Sequence, residues 1–266
     1  MRADVYLTER GYAPSRGRAR LMIESGGVTV DGVPVKKPAQ EISDGEHTVS
    51  VEDPLAYVSR GGLKLEAALD AFGVCVRGVI ALDIGASTGG FTDCLLQRGA
   101  TRVYAVDAGE RQLAKKLCDD ARVISREHLN ARSMTCADIG GERVDLIVMD
   151  VSFISATYIL PQFPALLREG GEAICLVKPQ FEVGKSMLGK GGIVKDRAAH
   201  RYAVERVCES ARGVGLCPIG LIPSPIEGGD GNREFLLYLR ADAAGERQLT
   251  ETDVRRVTDR SGMKGE

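Results

Sequence analysis

Val79-Ile-Ala-Leu-Asp-Ile-Gly-Ala-Ser-Thr-Gly-Gly-Phe-Thr92 is an apolar run that stops at an acid and opens into small residues. Val79 to Ile84 has the unbroken apolar character of a parallel strand buried on both faces. Gly85 to Gly90 lets a ligand approach the backbone, and Phe91 to Gln97 resumes helical spacing. Strand, small-residue loop and helix N-terminus together predict a nucleotide-like cradle built from Asp83, Gly85, Ala86, Ser87, Thr88, Gly89, Gly90 and Phe91.

The loop also narrows the ligand. A dinucleotide fingerprint places a second glycine two positions after the first, so that backbone can touch a pyrophosphate. Ser87 stands there instead. The loop therefore suits a nucleoside without phosphates, such as S-adenosylmethionine, better than a nicotinamide dinucleotide. The next apolar run, Arg102-Val-Tyr-Ala-Val-Asp107, ends in an acid 22 positions after Gly85, where a ribose-binding carboxylate belongs. Glu127-His-Leu-Asn130 then forms a polar exit beside the expected adenine, with Asn130 as a further contact.

Around this centre, 266 residues with 44% apolar content allow one large or two unequal domains of a soluble protein. No stretch reaches the ~18 apolar residues of a membrane span, and the start lacks a secretion signal, which predicts a cytoplasmic protein without a membrane partner. Seven cysteines (75, 94, 118, 136, 175, 208, 217), none in a C-x-x-C pair, and three scattered histidines predict free thiols and no metal. The formal charge of −2 is unevenly divided: residues 1–40 hold seven Lys/Arg against four Asp/Glu, so the N-terminal end is the one expected to meet phosphate.

Residues 2–11 and 15–26 read as two short helices, the second capped by Ser15, with Arg16, Arg18 and Arg20 fanning around it. A hairpin turning at Asp31-Gly32 and a closing strand near 48–51 follow. Helix, Ser-Arg start, Gly27-Val-Thr-Val-Asp-Gly32 and the basic Lys36 and Lys37 resemble the ribosomal S-four type (alpha-L) RNA-binding fold over about residues 2–52. That resemblance implies phosphate contacts from Arg16, Arg18, Arg20, Lys36 and Lys37, which position the protein without reading bases.

Residues 53–60 are expected to be a short linker, followed by a helix from Leu63 to Phe72 whose periodicity leaves Lys64 off the buried face. Val144-Asp-Leu-Ile-Val-Met-Asp150 is a second buried strand ending in an acid, and Glu172-Ala-Ile-Cys-Leu-Val-Lys178 a third ending in a lysine before a proline. A helix is expected around 155–168, a helix over 196–215, strands over 216–223 and 233–239, and from Ala241 a polar tail that is a frayed helix or disordered. Asp150-Val-Ser-Phe153 differs from the (Asp/Asn)-Pro-Pro-aromatic segment of methyltransferases that act on exocyclic amines. Gly184-Lys-Ser-Met-Leu-Gly-Lys-Gly191 nearly spells a phosphate loop but carries Gly191 where a metal-binding hydroxyl is required. It reads as a mobile loop over the site whose Lys185 and Lys190, with Arg60, are expected along an RNA backbone.

Lys64, Asp150, Lys178 and Glu234 come from four separate elements, the last three at strand ends expected to share one rim. Two lysines and two carboxylates beside a methyl-sulfonium suit proton removal from a weakly acidic alcohol. In this scheme Lys178 is the base, Asp150 and Glu234 orient it, and Lys64 is a neighbouring cation that steadies the ribose. This Lys-Asp-Lys-Glu set, with residues 85–92, Asp150-Val-Ser-Phe153, Lys178-Pro-Gln-Phe-Glu182 and Gly231-Asn-Arg-Glu-Phe235, resembles the TlyA (hemolysin A-like) family from residue 2 to about 240. The resemblance implies an α/β architecture: a doubly wound, Rossmann-like methyltransferase domain of the FtsJ-like type over 61–240, behind the small α+β RNA-binding domain at 1–52. It also implies cytidine 2′-O-methylation of ribosomal RNA in the large subunit, and in some members the small one. Two rival readings are a membrane-active hemolysin and a non-catalytic RNA-binding assembly factor. Monomer and weak dimer both stay open.

Overall fold

The computed structural model describes residues 1–43, 45–52, 56–229, 231–242, 245 and 247–259. The heart of the expected linker, 53–55, and the end of the expected tail, 260–266, lie outside them. The chain divides into two compact units, Met1–Ser59 and Arg60–Glu266.

In the N-terminal unit, α1 (Ala3–Glu9) and α2 (Arg16–Glu24) precede a three-stranded antiparallel sheet of β1 (Val28–Val30), β2 (Val33–Pro34) and β3 (Val49–Val51), with β1 in the centre. Ser15 caps α2 by accepting from the Arg18 amide at 3.2 Å. The hairpin turns where expected, with Asp31 at φ 52° and Gly32 at φ 77°, the left-handed pair that lets two strands keep their twist across a two-residue loop. Leu7, Ala19, Ile23 and Val28 form the core of this unit.

The larger unit opens with α3 (Gly61–Phe72) and β4 (Ile80–Ile84), then α4 (Gly90–Gln97), β5 (Arg102–Val106), α5 (Lys115–Cys118), β6 (Val123–Arg126) and β7 (Val144–Met149). It continues through α6 (Phe163–Leu166), β8 (Leu167–Val177), α7 (Pro179–Glu182), α8 (Arg197–Gly213), β9 (Leu216–Pro223), β10 (Phe235–Ala241) and α9 (Glu251–Thr258). The seven strands lie in the order β6-β5-β4-β7-β8-β10-β9, parallel from β6 to β8, with β10 antiparallel to both its neighbours. Side-chain alternation assigns the two faces. Leu82, Ile84, Phe235, Leu237 and Leu239 join the core that receives Val204, Val207 and Ala211 of α8. On the other face Phe72 of α3 stacks on Tyr238 at 5.1 Å, and Thr92 of α4 meets Asp83. Helices on both faces make the sheet doubly wound.

One expectation fails here, and a second is met in part. The helix around 155–168 is a pair of 3₁₀ turns, Ala156–Tyr158 and Leu160–Gln162, followed by the single turn of α6. Pro161 and Pro164 each occupy a first-turn position, since proline cannot supply the amide that a longer helix requires. The segment after Ala241 does hold a helix, but a firmly capped one, because α9 has a complete capping box in which Thr250 and Asp253 bond each other's amides. Val254 and Val257 of α9 are buried, and Arg233 donates to the carbonyl oxygens of Val257 and Thr258. Thr250→Ala is expected to cost about 1 kcal/mol of stability in chemical denaturation, the usual loss for a helix cap.

Candidate active site

The loop after β4 is shaped by contact with β7. Gly85 has φ 85°, and a Cβ there would lie 2.4 Å from the Asp150 carbonyl oxygen, so only glycine lets the two strand ends meet. The Asp150 amide completes the contact by donating to the Ile84 carbonyl at 3.0 Å. Gly89, at φ 94°, is equally constrained: a Cβ would sit 2.2 Å from Leu117 Cδ1. Ser87 is the one non-glycine residue in left-handed backbone in this loop, at φ 48°. Its amide donates to Asp107 Oδ2 at 2.8 Å, while the Gly109 amide donates to Asp107 Oδ1 at 2.7 Å.

A cleft of about 410 Å³ opens at these strand ends. Gly85, Ser87, Asp107 and Asn130 line it, as does an apolar wall including Val106, Leu129, Val151 and Ile159. Thr88 is exposed, whereas Ala86, Gly89 and Gly90 are buried in the turn itself. Phe91 is a correction: at 3% exposure it packs into the interior as a helical core residue and does not line the cleft. Asp83 lies beneath the loop, fully buried, with Oδ2 accepting from Thr92 Oγ1 at 2.7 Å and Oδ1 without a partner. Burial pushes its carboxyl up to about 7; the Thr92 bond opposes this, and repulsion from Asp150 and Asp107 adds to it.

The four expected catalytic side chains form two ion pairs. Lys178 ends β8, and the following Pro179 begins α7, where a missing amide costs nothing. Its Nζ lies 2.6 Å from Asp150 Oδ1 and donates to Ser152 Oγ at 2.9 Å. Register places Glu234 and Lys178 at neighbouring strand ends, since Phe235 of β10 faces Val177 of β8, and the second pair forms where α3 packs on β10 through Phe72 and Tyr238. Glu234 Oε2 accepts from Lys64 Nζ at 2.5 Å. Lys64 corrects the expectation of a solvated lysine, being only 8% exposed on the same face as Leu65, Ala68 and Leu69. The close fit at Glu234 also requires Gly228, where a Cβ would fall 2.6 Å from Glu234 Oε1.

Supporting residues appear that periodicity could not identify. Buried Glu182 accepts from Ser155 Oγ at 2.5 Å and the Ala156 amide at 2.7 Å, tying α7 to the segment after Asp150. Burial raises its pKa, against the pull of those two bonds. Asn232 accepts from the Val194 amide at 2.9 Å and donates to the Gly192 carbonyl at 3.2 Å, which anchors the end of the glycine-lysine loop beside β10. Lys185 and Lys190 of that loop are exposed in 3₁₀ turns, so the segment does not open a helix as a phosphate loop does. A second, more open cavity of about 540 Å³ is lined by Arg132, Phe153, Tyr158, Phe181, Lys185 and Arg206 among others. Phe153 is 92% exposed at φ 65°, its ring 5.4 Å from Phe181, and the Arg132 guanidinium lies over the Tyr158 ring at 5.1 Å.

Of the remaining cations expected at RNA, Lys36, Lys37 and Arg60 are exposed, and Arg16 and Arg20 both approach Asp4. Arg18 is a correction: its side chain turns inward and donates to the Tyr57 carbonyl at 2.8 Å, so that donor is committed within the fold and the residue is 9% exposed. Among the described residues no group of three or more His, Cys, Asp or Glu could hold a metal, and no helix is long and apolar enough to cross a membrane.

Residues 57–241 match the FtsJ-like methyltransferase model and residues 1–47 the S4 domain model. The chain is 46% identical over 240 residues to the Mycobacterium tuberculosis protein named 16S/23S rRNA (cytidine-2′-O)-methyltransferase TlyA, covering 90% of this chain and 89% of that one. It is 42% identical to hemolysin A of Brachyspira hyodysenteriae, covering 90% and 99%. A solved hemolysin-named structure from Streptococcus thermophilus superposes with a TM-score of 0.77 at 41% identity, over 97% of this chain and 94% of that one.

The buried Asp83 gives a pH test. Its folded form keeps a proton up to about pH 7 that the unfolded chain releases near 3.8, so stability contributed by this residue is full below about pH 4 and falls as pH rises to 7. Asp83→Asn should remove that slope, gaining up to about 4 kcal/mol relative to wild type at pH 8 compared with pH 4. Denaturant titrations of both proteins at the two pH values measure it; an equal difference at both would contradict the assignment.

Proposed function

Since the chain belongs to the FtsJ-like methyltransferase family, with an S4 domain ahead of the catalytic one, we propose that it transfers the methyl group of S-adenosylmethionine to cytidine 2′-hydroxyls of ribosomal RNA in the cytoplasm. The observation that carries the reading is the pairing of Lys178 with Asp150, which lines the 410 Å³ cleft, together with the buried pair of Lys64 and Glu234.

The cleft suits an adenosine cofactor. The Gly85 contact keeps its floor free of side chain, Asp107 offers carboxylate oxygens to ribose hydroxyls, and Leu129, Val151 and Ile159 form an apolar slot for a base. When bound there, S-adenosylmethionine supplies an electrophilic methyl group on a sulfonium sulfur. The protein's own task is the hydroxyl. In its neutral form Lys178 Nζ would accept the 2′-hydroxyl proton as the ribose oxygen bonds to the methyl carbon and the methyl–sulfur bond breaks, its electron pair leaving on sulfur. Asp150 and Ser152 hold that nitrogen in place, with Ser152 Oγ occupying hydrogen-bonding space that a substrate hydroxyl can take over. Glu234 fixes Lys64 as a buried donor for the ribose. The open groove of Phe153, Tyr158, Phe181, Arg132 and Lys185 presents aromatic faces and cations together, the lining that accepts unstacked RNA. On this reading the cations of the N-terminal unit, led by Arg16, Arg20, Lys36 and Lys37, contact RNA phosphates.

Labelled S-adenosylmethionine incubated with large subunits, small subunits and stripped ribosomal RNA tests the proposal. Label should appear in cytidine ribose, and Lys178→Ala should lower incorporation by about 10²–10⁴-fold while cofactor affinity changes little. Tight cofactor binding with no label in any substrate would sink the catalytic reading and favour the RNA-binding assembly factor. The distribution of label between subunits reports whether the chain modifies one RNA or both, as the name of its M. tuberculosis relative specifies for that protein.

A further inference from the structure

Asp4 is a charged residue at 0% exposure in α1, and three guanidinium groups close on it. Arg2 makes two bonds of 3.0 Å, one to each carboxylate oxygen. Arg16 Nη2 lies 3.4 Å and Arg20 Nε 3.5 Å from Oδ2. The arginine side chains themselves stay 43%, 59% and 56% exposed. One arginine would have satisfied a buried carboxylate. Three leave the cluster with two surplus positive charges on an accessible surface, and most of their N–H donors unused by Asp4.

The cost of this arrangement is plain. Arg16 and Arg20 are like charges one helical turn apart, which repel, and each ordered arginine gives up rotamer freedom. Asp4 offsets the repulsion and holds the three groups in one place before any ligand arrives. A site ordered in advance loses less entropy on binding, and planar forks match phosphate geometry. With its carboxyl held down to about 2, mainly by the Arg2 hydrogen bonds, Asp4 stays ionised across the working pH range.

We propose that Asp4 is a positioning residue for RNA binding, a buried anion that assembles Arg2, Arg16 and Arg20 into one receptor for backbone phosphates. The proposal rests on the RNA-binding reading given above. It reverses the result of charge counting. Removing a negative charge from an RNA-binding surface should tighten binding if only net charge matters, but here it should loosen binding.

The experiment is filter binding of the full chain to ribosomal RNA stripped from large subunits, across a range of salt. Asp4→Asn is expected to bind about tenfold more weakly and to reduce the slope of log K against log salt by about one contact, and Asp4→Glu to recover part of both. Asp4→Asn binding as tightly as wild type, or more tightly, overturns the role of Asp4. Should that variant lose the helical signal of its N-terminal unit, the doubly substituted Arg16→Lys, Arg20→Lys protein decides. It keeps every charge but loses the forks, so weaker binding supports the receptor and unchanged binding overturns it. Wild-type protein without salt-dependent RNA affinity refutes the RNA reading itself, a result distinct from failure of the Asp4 variants alone.

Discussion

A lysine taken out of water must face an acceptor, and that requirement organises the carboxyl edge of the sheet. Lys64 and Glu234 are nearly inaccessible and touch each other, while Lys178 is held by Asp150 and Ser152. Removing one member of such a buried pair leaves an uncompensated charge, which costs far more than the pair itself contributes. The pairs therefore constrain everything around them. The packing of α3 on β10 and the turn in which the Gly228 amide donates to the Asn232 carbonyl both bring Glu234 to the lysine that needs it. Asp4, buried in its helix and met by three arginines, is the same physics turned outward.

Asp83 shows the opposite solution. It has no cation against it, only the Thr92 hydroxyl, and burial moves its carboxyl toward neutrality. An acid at that place beneath a ligand loop is costly for stability, and such costs concentrate where a site is built. The loop above it is economical by comparison. Glycines at 85 and 89 remove the side chains that would separate β4 from β7 and from α5, and the Asp107 carboxylate then gathers the loop amides of Ser87 and Gly109.

Much of this was legible in the residues. The run into Gly85 read as a buried strand opening into a small-residue loop; the acids ending β5 and β7 marked the rim; and Asp31-Gly32 pointed to a tight hairpin. Local chemistry sufficed because each signal lies within a few neighbours of its consequence: a positive φ, a cap, an apolar period. Helix α8 and strand β9 were legible for the same reason, with Asp196 as a cap and Gly215 closing the turn between them.

What the sequence alone determined, then, is the order of elements, the position of the loop and the identity of the four charged residues. Only the tertiary structure decided which carboxylate each lysine meets, because Lys64 and Glu234 are separated by 170 positions and joined by the packing of α3 against β10. It likewise turned Arg18 and Phe91 inward, gave Glu182 and Asn232 their partners, and packed α9 where local polarity suggested a loose tail. Periodicity describes one element at a time, whereas the desolvation of a side chain depends on what another element brings against it.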